Sequence, residues 1–147
     1  MPETSDSLVT PAQLTAGLAG LLHGPYADTV TAEAGDLAAE TARYLAYAGA
    51  HGGITDPATI ANLTASLAIA IYRMPQLLHA ISAWLDAETA AGRIADDHRR
   101  PPAQLTDRAR AAINQAADNA DALATSLAAI RNLTATLHAT SPGAPTV

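Results

Sequence analysis

The stretch Ile94–Pro102, IADDHRRPP, sets two carboxylates, an imidazole and two guanidiniums side by side in Asp96, Asp97, His98, Arg99 and Arg100. Such a set suggests a metal or phosphate site. Ligands must converge on an ion, however, and adjacent loop residues rarely do; no second ligand cluster of suitable spacing is evident elsewhere. A turn explains each residue instead. Gly92 ends the preceding helix, and Ile94 folds back on its last turn as the hydrophobic contact of a left-handed cap. Asp96 or Asp97 engages the free N–H groups that open the next helix or pairs with Arg99 or Arg100, and Pro101-Pro102 pre-set the entry.

Other chemistry is sparse. Of His23, His51, His79, His98 and His138, three (His23, His51, His138) fall near helix C-termini, where the dipole favours an imidazolium, and His79 falls on an outer face. No HxxxH, HxxE or ExxH pair marks one helix face. None of Ser5, Ser7, Ser66, Ser82, Ser126 and Ser141 sits in a strand–turn–helix elbow. Gly52-Gly53 lacks the strand and the Lys/Ser of a phosphate loop. Asp86 and Glu88, two apart, cannot share a helical face. The expectation is a chain with no catalytic residues, no metal site and no cofactor.

Tyr72-Arg73-Met74-Pro75 is the remaining stretch of interest. A proline kink opens packed helices, so Tyr72, Arg73, Met74 and Pro75, together with Trp84, make a candidate ligand or partner surface. The competing view is a core methionine with two surface neighbours. Trp84 is expected to fill the core near the hairpin end, its indole N–H on an acceptor.

The elements that must position these residues are helices. Alanine supplies 37 of the 147 residues and Phe is absent, so the core must come from Leu, Ile and Ala in closely approaching helices. The predicted fold class is all-α. Thr10-Pro11-Ala12-Gln13 is a capping box with proline at the first helical position, opening a helix over 11–23 that Gly24-Pro25 stops. Asp28 or Thr29 caps a second helix over 29–50, with Val30, Ala34, Leu37, Thr41, Tyr44 and Ala48 on one face beside Leu45. Gly52-Gly53 ends it.

Asp56-Pro57 starts a third helix over 57–91. Ile60, Leu63, Leu67, Ala70, Met74, Leu77, Ile81 and Trp84 alternate 3 and 4 along it as a core seam, with Ile71, Leu78 and Leu85 as a second row. Pro75 falls on the opposite face, which predicts a kink. A fourth helix over 101–138 repeats the pattern in Ile113, Ala116, Ala120, Leu123, Leu127, Ile130, Thr134 and Leu137, half of them small. At 1.5 Å per residue the last two helices span roughly 50 and 55 Å, and the first two roughly 20 and 33 Å. The long pair forms an antiparallel hairpin, and the favoured architecture is a bundle built on it with the two shorter helices folded back. Residues 1–9 and 140–147 read as disordered tails flanking a single domain over 10–139.

Residues 60–68 echo 130–138, and PAQLT occurs at 11–15 and 102–106, but the order of the pairs gives no consistent period. The triplets Asn62-Leu-Thr and Asn132-Leu-Thr lie inside helices and are discounted as glycosylation sites.

Charge narrows the partners. The net charge is −6, with no lysine, and residues 1–50 carry six acids against Arg43. That lacks the basic footprint which attracts phosphate backbones, so nucleic-acid binding without a partner is not expected. Absence of cysteine fits the cytoplasm, the N-terminus has acids where a secretion signal needs bases, and no segment approaches the ~20 apolar residues of a membrane span.

The run Trp84–Pro102 and the later Asn132–His138 resemble small Ala-rich proteins of actinobacteria, often encoded near plasmid-derived or integrative conjugative elements. The resemblance covers roughly 10–140 and implies a cytoplasmic accessory protein tied to element maintenance or transfer, with no site residues to carry over. From the residues, the favoured function is a non-enzymatic helical module that self-associates, as a homo-oligomer, or docks another helical protein through its heptad seams. The alternatives are a ligand-binding bundle with a pocket near Pro75 and Trp84, and a DNA-associated accessory factor.

Overall fold

A computed structural model describes residues 10–22, 24 and 26–137. The two predicted tails, His23, Pro25 and His138 lie outside them. All the secondary structure among the described residues is helical: α1 (Pro11–Leu21), α2 (Asp28–Ala50), α3 (Pro57–Tyr72), α4 (Met74–Ala90) and α5 (Pro102–Thr134). The single domain expected over 10–139 meets two compact units here, Met1–Gly53 and Ile54–Val147, divided at the glycine pair.

In the first unit the capping box forms as expected. Thr10 Oγ accepts from the Gln13 N–H at 3.3 Å, and the Gln13 side chain accepts from the Thr10 N–H at 2.7 Å. The second cap differs. Ala27, not Asp28 or Thr29, is the N-cap of α2 and offers no side-chain oxygen. Asp28 lies instead in the first turn, where its charge complements the helix dipole. At the far end Gly52 takes φ +80° and the Gly53 N–H reaches the Ala48 carbonyl at 2.7 Å, the hydrogen bond that closes a left-handed cap. Along α2, Val30, Leu37, Leu45 and Ala48 are half-buried, while Ala34, Thr41 and Tyr44 are exposed.

The second unit is the hairpin. Asp56 caps α3 through the Ala58 N–H at 3.1 Å. The predicted third helix is realised as α3 and α4, broken at Arg73, whose N–H turns to the Ala70 carbonyl at 3.2 Å. Pro75 causes the break: it has no N–H to give the Ile71 carbonyl, and its ring crowds that carbonyl. Both α3 and α4 pack along α5, and the direction is antiparallel. Thr89 Oγ meets Thr106 Oγ at 2.6 Å, and the Arg110 guanidinium pairs with Asp86, so one number rises as the other falls.

The contact line of this hairpin passes through the predicted second row, Ile71, Leu78 and Leu85, and not the first; of the predicted seams, Ile60, Leu63 and Leu67 on α3 and Ile113, Ala120 and Leu127 on α5 are half-buried. Thr64 is the buried residue of α3, and Ala68, Ile71, Pro75, Leu78, Ser82, Leu85 and Thr89 continue its line half-buried. On α5 the buried residues are Thr106, Ala117 and Ala124, with Ile113, Ala120 and Leu127 half-buried beside them. Pro75 therefore faces inward, contrary to expectation. The physical reason is size. Small side chains let two helices approach closely, so the fully buried positions are Ala and Thr, and the bulkier row from Met74 to Trp84 stands on the flank. The buried threonines cost little because each hydroxyl is bonded inside its own helix, Thr64 to the Ile60 carbonyl at 2.8 Å and Thr106 to the Pro102 carbonyl at 3.1 Å.

Candidate functional site

IADDHRRPP folds as a corner. Gly92 takes φ +67°; its N–H bonds the Thr89 carbonyl at 3.1 Å and the Arg93 N–H bonds the Glu88 carbonyl at 3.0 Å, closing α4. Arg93 also holds Glu88 through two hydrogen bonds of 2.6 Å, which lowers the Glu88 pKa. Asp96 organises the turn. Its carboxylate accepts from the backbone N–H groups of His98 and Arg100 and from the Arg100 guanidinium, each at 3.0 Å. The Arg100 guanidinium and these N–H groups hold the Asp96 carboxyl down at about 2. Arg99 takes the left-handed φ of 58°. No group of three or more His, Asp and Glu among the described residues is placed to hold a metal ion. Ile94 is half-buried and lines one pocket with Leu85, Leu105 and Ala109 of both helices.

The candidate surface Tyr72, Arg73, Met74, Pro75 and Trp84 is divided by the structure. Tyr72, Arg73 and Pro75 line open depressions with Gln76, His79 and Asp121 on one side of the hairpin. Met74 and Trp84 line neither. Trp84, expected in the core, is 57% exposed, because it belongs to the displaced row and not to the contact line.

That row is the most unusual feature of the hairpin. Leu77 is 53% exposed, and Met74 and Ile81 are exposed as well. On α5, Leu123 is 48% exposed, and Ala116 and Ile130 lie open above and below it. The two rows share one side. On α4, Leu77 and Ile81 stand one position before the inward-facing Leu78 and Ser82; on α5, Ala116 and Leu123 stand one position before Ala117 and Ala124. One position is a rotation of about 100°. In an antiparallel pair the same rotation on each helix lands on the same side of the plane through both axes. Ile94 sits at one end of that side with Leu85, Leu105 and Ala109, whereas Tyr72, Gln76, Asp121 and Thr125 gather on the other.

The apolar side carries no charge as far as Trp84; Glu88, one position before the inward-facing Thr89, ends the α4 row with its partner Arg93. The row Ile60, Leu63, Leu67, Ala70, Met74, Leu77, Ile81, Trp84 contains no ionisable residue, nor does Ala112, Ala116, Asn119, Leu123, Ser126, Ile130, Leu133, Leu137 on α5. Periodicity finds these residues but sends many of them to the core. The signal that separates the rows is a line of small residues, Ala61, Thr64 and Ala68 on α3 and Ala117, Ala120 and Ala124 on α5, running beside each line of large ones. No helix among the described residues is long and apolar enough to cross a membrane. No family model matches the chain, and no curated protein or solved structure shows significant similarity to it.

Proposed function

We propose that this chain is a non-enzymatic interaction module whose working surface is the apolar side of the α4–α5 hairpin, covered by another helical surface. The observation that carries this is the charge-free stretch of that side on which Leu77, Ile81, Trp84 and Leu123 stand exposed. Contiguous apolar surface of that extent destabilises an isolated molecule in water and marks a binding face. The two-layer rule agrees: a helix pair with an apolar side is stable against a second layer. A helical partner suits the face because its large residues repeat at 3 and 4 along both helices, the spacing that another helix reads. A cytoplasmic accessory role follows from the resemblance to mobile-element proteins and is part of the same proposal.

The test is site-specific photo-crosslinking in the native host, with the crosslinking side chain placed at Leu77, at Leu123 or at Thr125 on the other side. Crosslinks to any protein from positions 77 and 123, and none from 125, are expected. Equal labelling from all three positions, or labelling from 125 alone, contradicts the assignment.

A further inference from the structure

The interaction-module reading leaves its occupant open, and the inference here rests on that reading and names one. We propose that the apolar side of the hairpin is covered by the same side of a second copy of this chain, two hairpins closing into a four-helix bundle about a twofold axis that runs along the helices.

The absence of charge selects a like surface. A partner of opposite charge would find nothing on the rows to pair with, whereas an uncharged apolar face is complementary to itself and suits an isologous contact. Size agrees. Along α5 the exposed row runs from Ala112 to Leu133, roughly 32 Å at 1.5 Å per residue, and two helices about 10 Å apart make the face about 20 Å wide. The projected area of about 600 Å² approaches the ~800 Å² per partner of a stable specific interface.

Relief sets the orientation. The Asp86–Arg110 pair places Trp84 level with Ala112 and Ile81 close to the level of Ala116. On this stretch α4 is bulky and α5 is flat. Further along, the same register sets Leu123 of α5 between the levels of Ala70 and Met74. An axis along the helices lays α4 of one copy over α5 of the other at the same level, so that Trp84 and Ile81 cover the alanines of the second copy. Every neighbouring pair of helices is then antiparallel, as in a four-helix bundle.

Sedimentation equilibrium on the purified full chain tests this. The expected mass is twice 15.0 kDa. Leu77→Arg is expected to weaken association about 100-fold or more, since it would bury an unpaired charge. Ala116→Trp, which fills the flat stretch while adding no charge, is expected to weaken association as well. Thr125→Arg, on the other side, leaves the mass unchanged. Circular dichroism on each variant separates lost association from lost helix, and Ala116→Trp carries the test if Leu77→Arg fails to fold. A monomeric wild-type chain overturns the second copy, and so does a dimer that survives both face variants. Face-specific crosslinks to a different protein in that case leave the interaction-module reading standing.

Discussion

Two regions of the hairpin, only a few turns apart, solve opposite problems. At the closed end the main features have partners: Asp96 holds Arg100 and two backbone N–H groups, Arg93 holds Glu88, and Ile94 lines one pocket with Leu85, Leu105 and Ala109. Along the middle, Leu77, Ile81 and Trp84 stand exposed on one side of the hairpin. The charged stretch, which first suggests chemistry, is self-sufficient. The bland apolar stretch is the one that needs something else. Reactive residue types mark a functional surface only where their bonding capacity is unspent, and exposed leucines are unspent hydrophobic capacity.

The comparison breaks first, and most strongly, on the open face. Replacing Leu77 and Ile81 together with arginine is expected to abolish association, read by light scattering, while helix content stays near that of the wild type. The contact line responds in the opposite sense. Ala117 is 5% exposed, so Ala117→Leu forces the helices apart; it is expected to cost about 2 kcal/mol, roughly 10 °C in Tm. Thr125→Ala, exposed on the other side, is expected to stay within about 0.5 kcal/mol.

The corner gives smaller effects. Gly92→Ala puts a Cβ into a left-handed conformation and is expected to lower stability by about 1 kcal/mol in a denaturant titration. Asp96→Asn sharpens the comparison through pH. The carboxyl of Asp96 is held at about 2 against a usual 3.8. A depressed carboxyl contributes stability above its unfolded pKa and loses it as pH falls through the folded value. The stability difference between wild type and Asp96→Asn is therefore expected to be constant above about pH 5 and to shrink toward pH 2. A difference that grows on acidification contradicts the role given to Asp96.

Much of this arrangement was legible in the residues. Thr10-Pro11, Asp56-Pro57, Gly52 and Gly92 mark helix ends because caps are local chemistry, and the corner followed from the same rules. The kink was legible from Pro75, since a missing N–H breaks the helix wherever the proline sits. The inward face was not. Ile60 to Trp84 and Thr64 to Thr89 are adjacent rows with one period, and periodicity fixes the width of an apolar stripe without its centre. The centre is set by how near α5 approaches, and Ala117 and Ala124 permit an approach that bulky residues would block. Trp84 leaves the core for that reason alone, and the contact line defines the open face.

Trp84 is the only tryptophan in the chain and stands on the face in question, so its emission reports directly on whether a second copy covers that face. Fluorescence of the full chain should be recorded across a dilution series spanning the dissociation of the pair. The expected result is blue-shifted emission at high concentration, moving to the red on dilution in step with the loss of the dimer mass. A single emission maximum across the whole range, red or blue, would contradict the account.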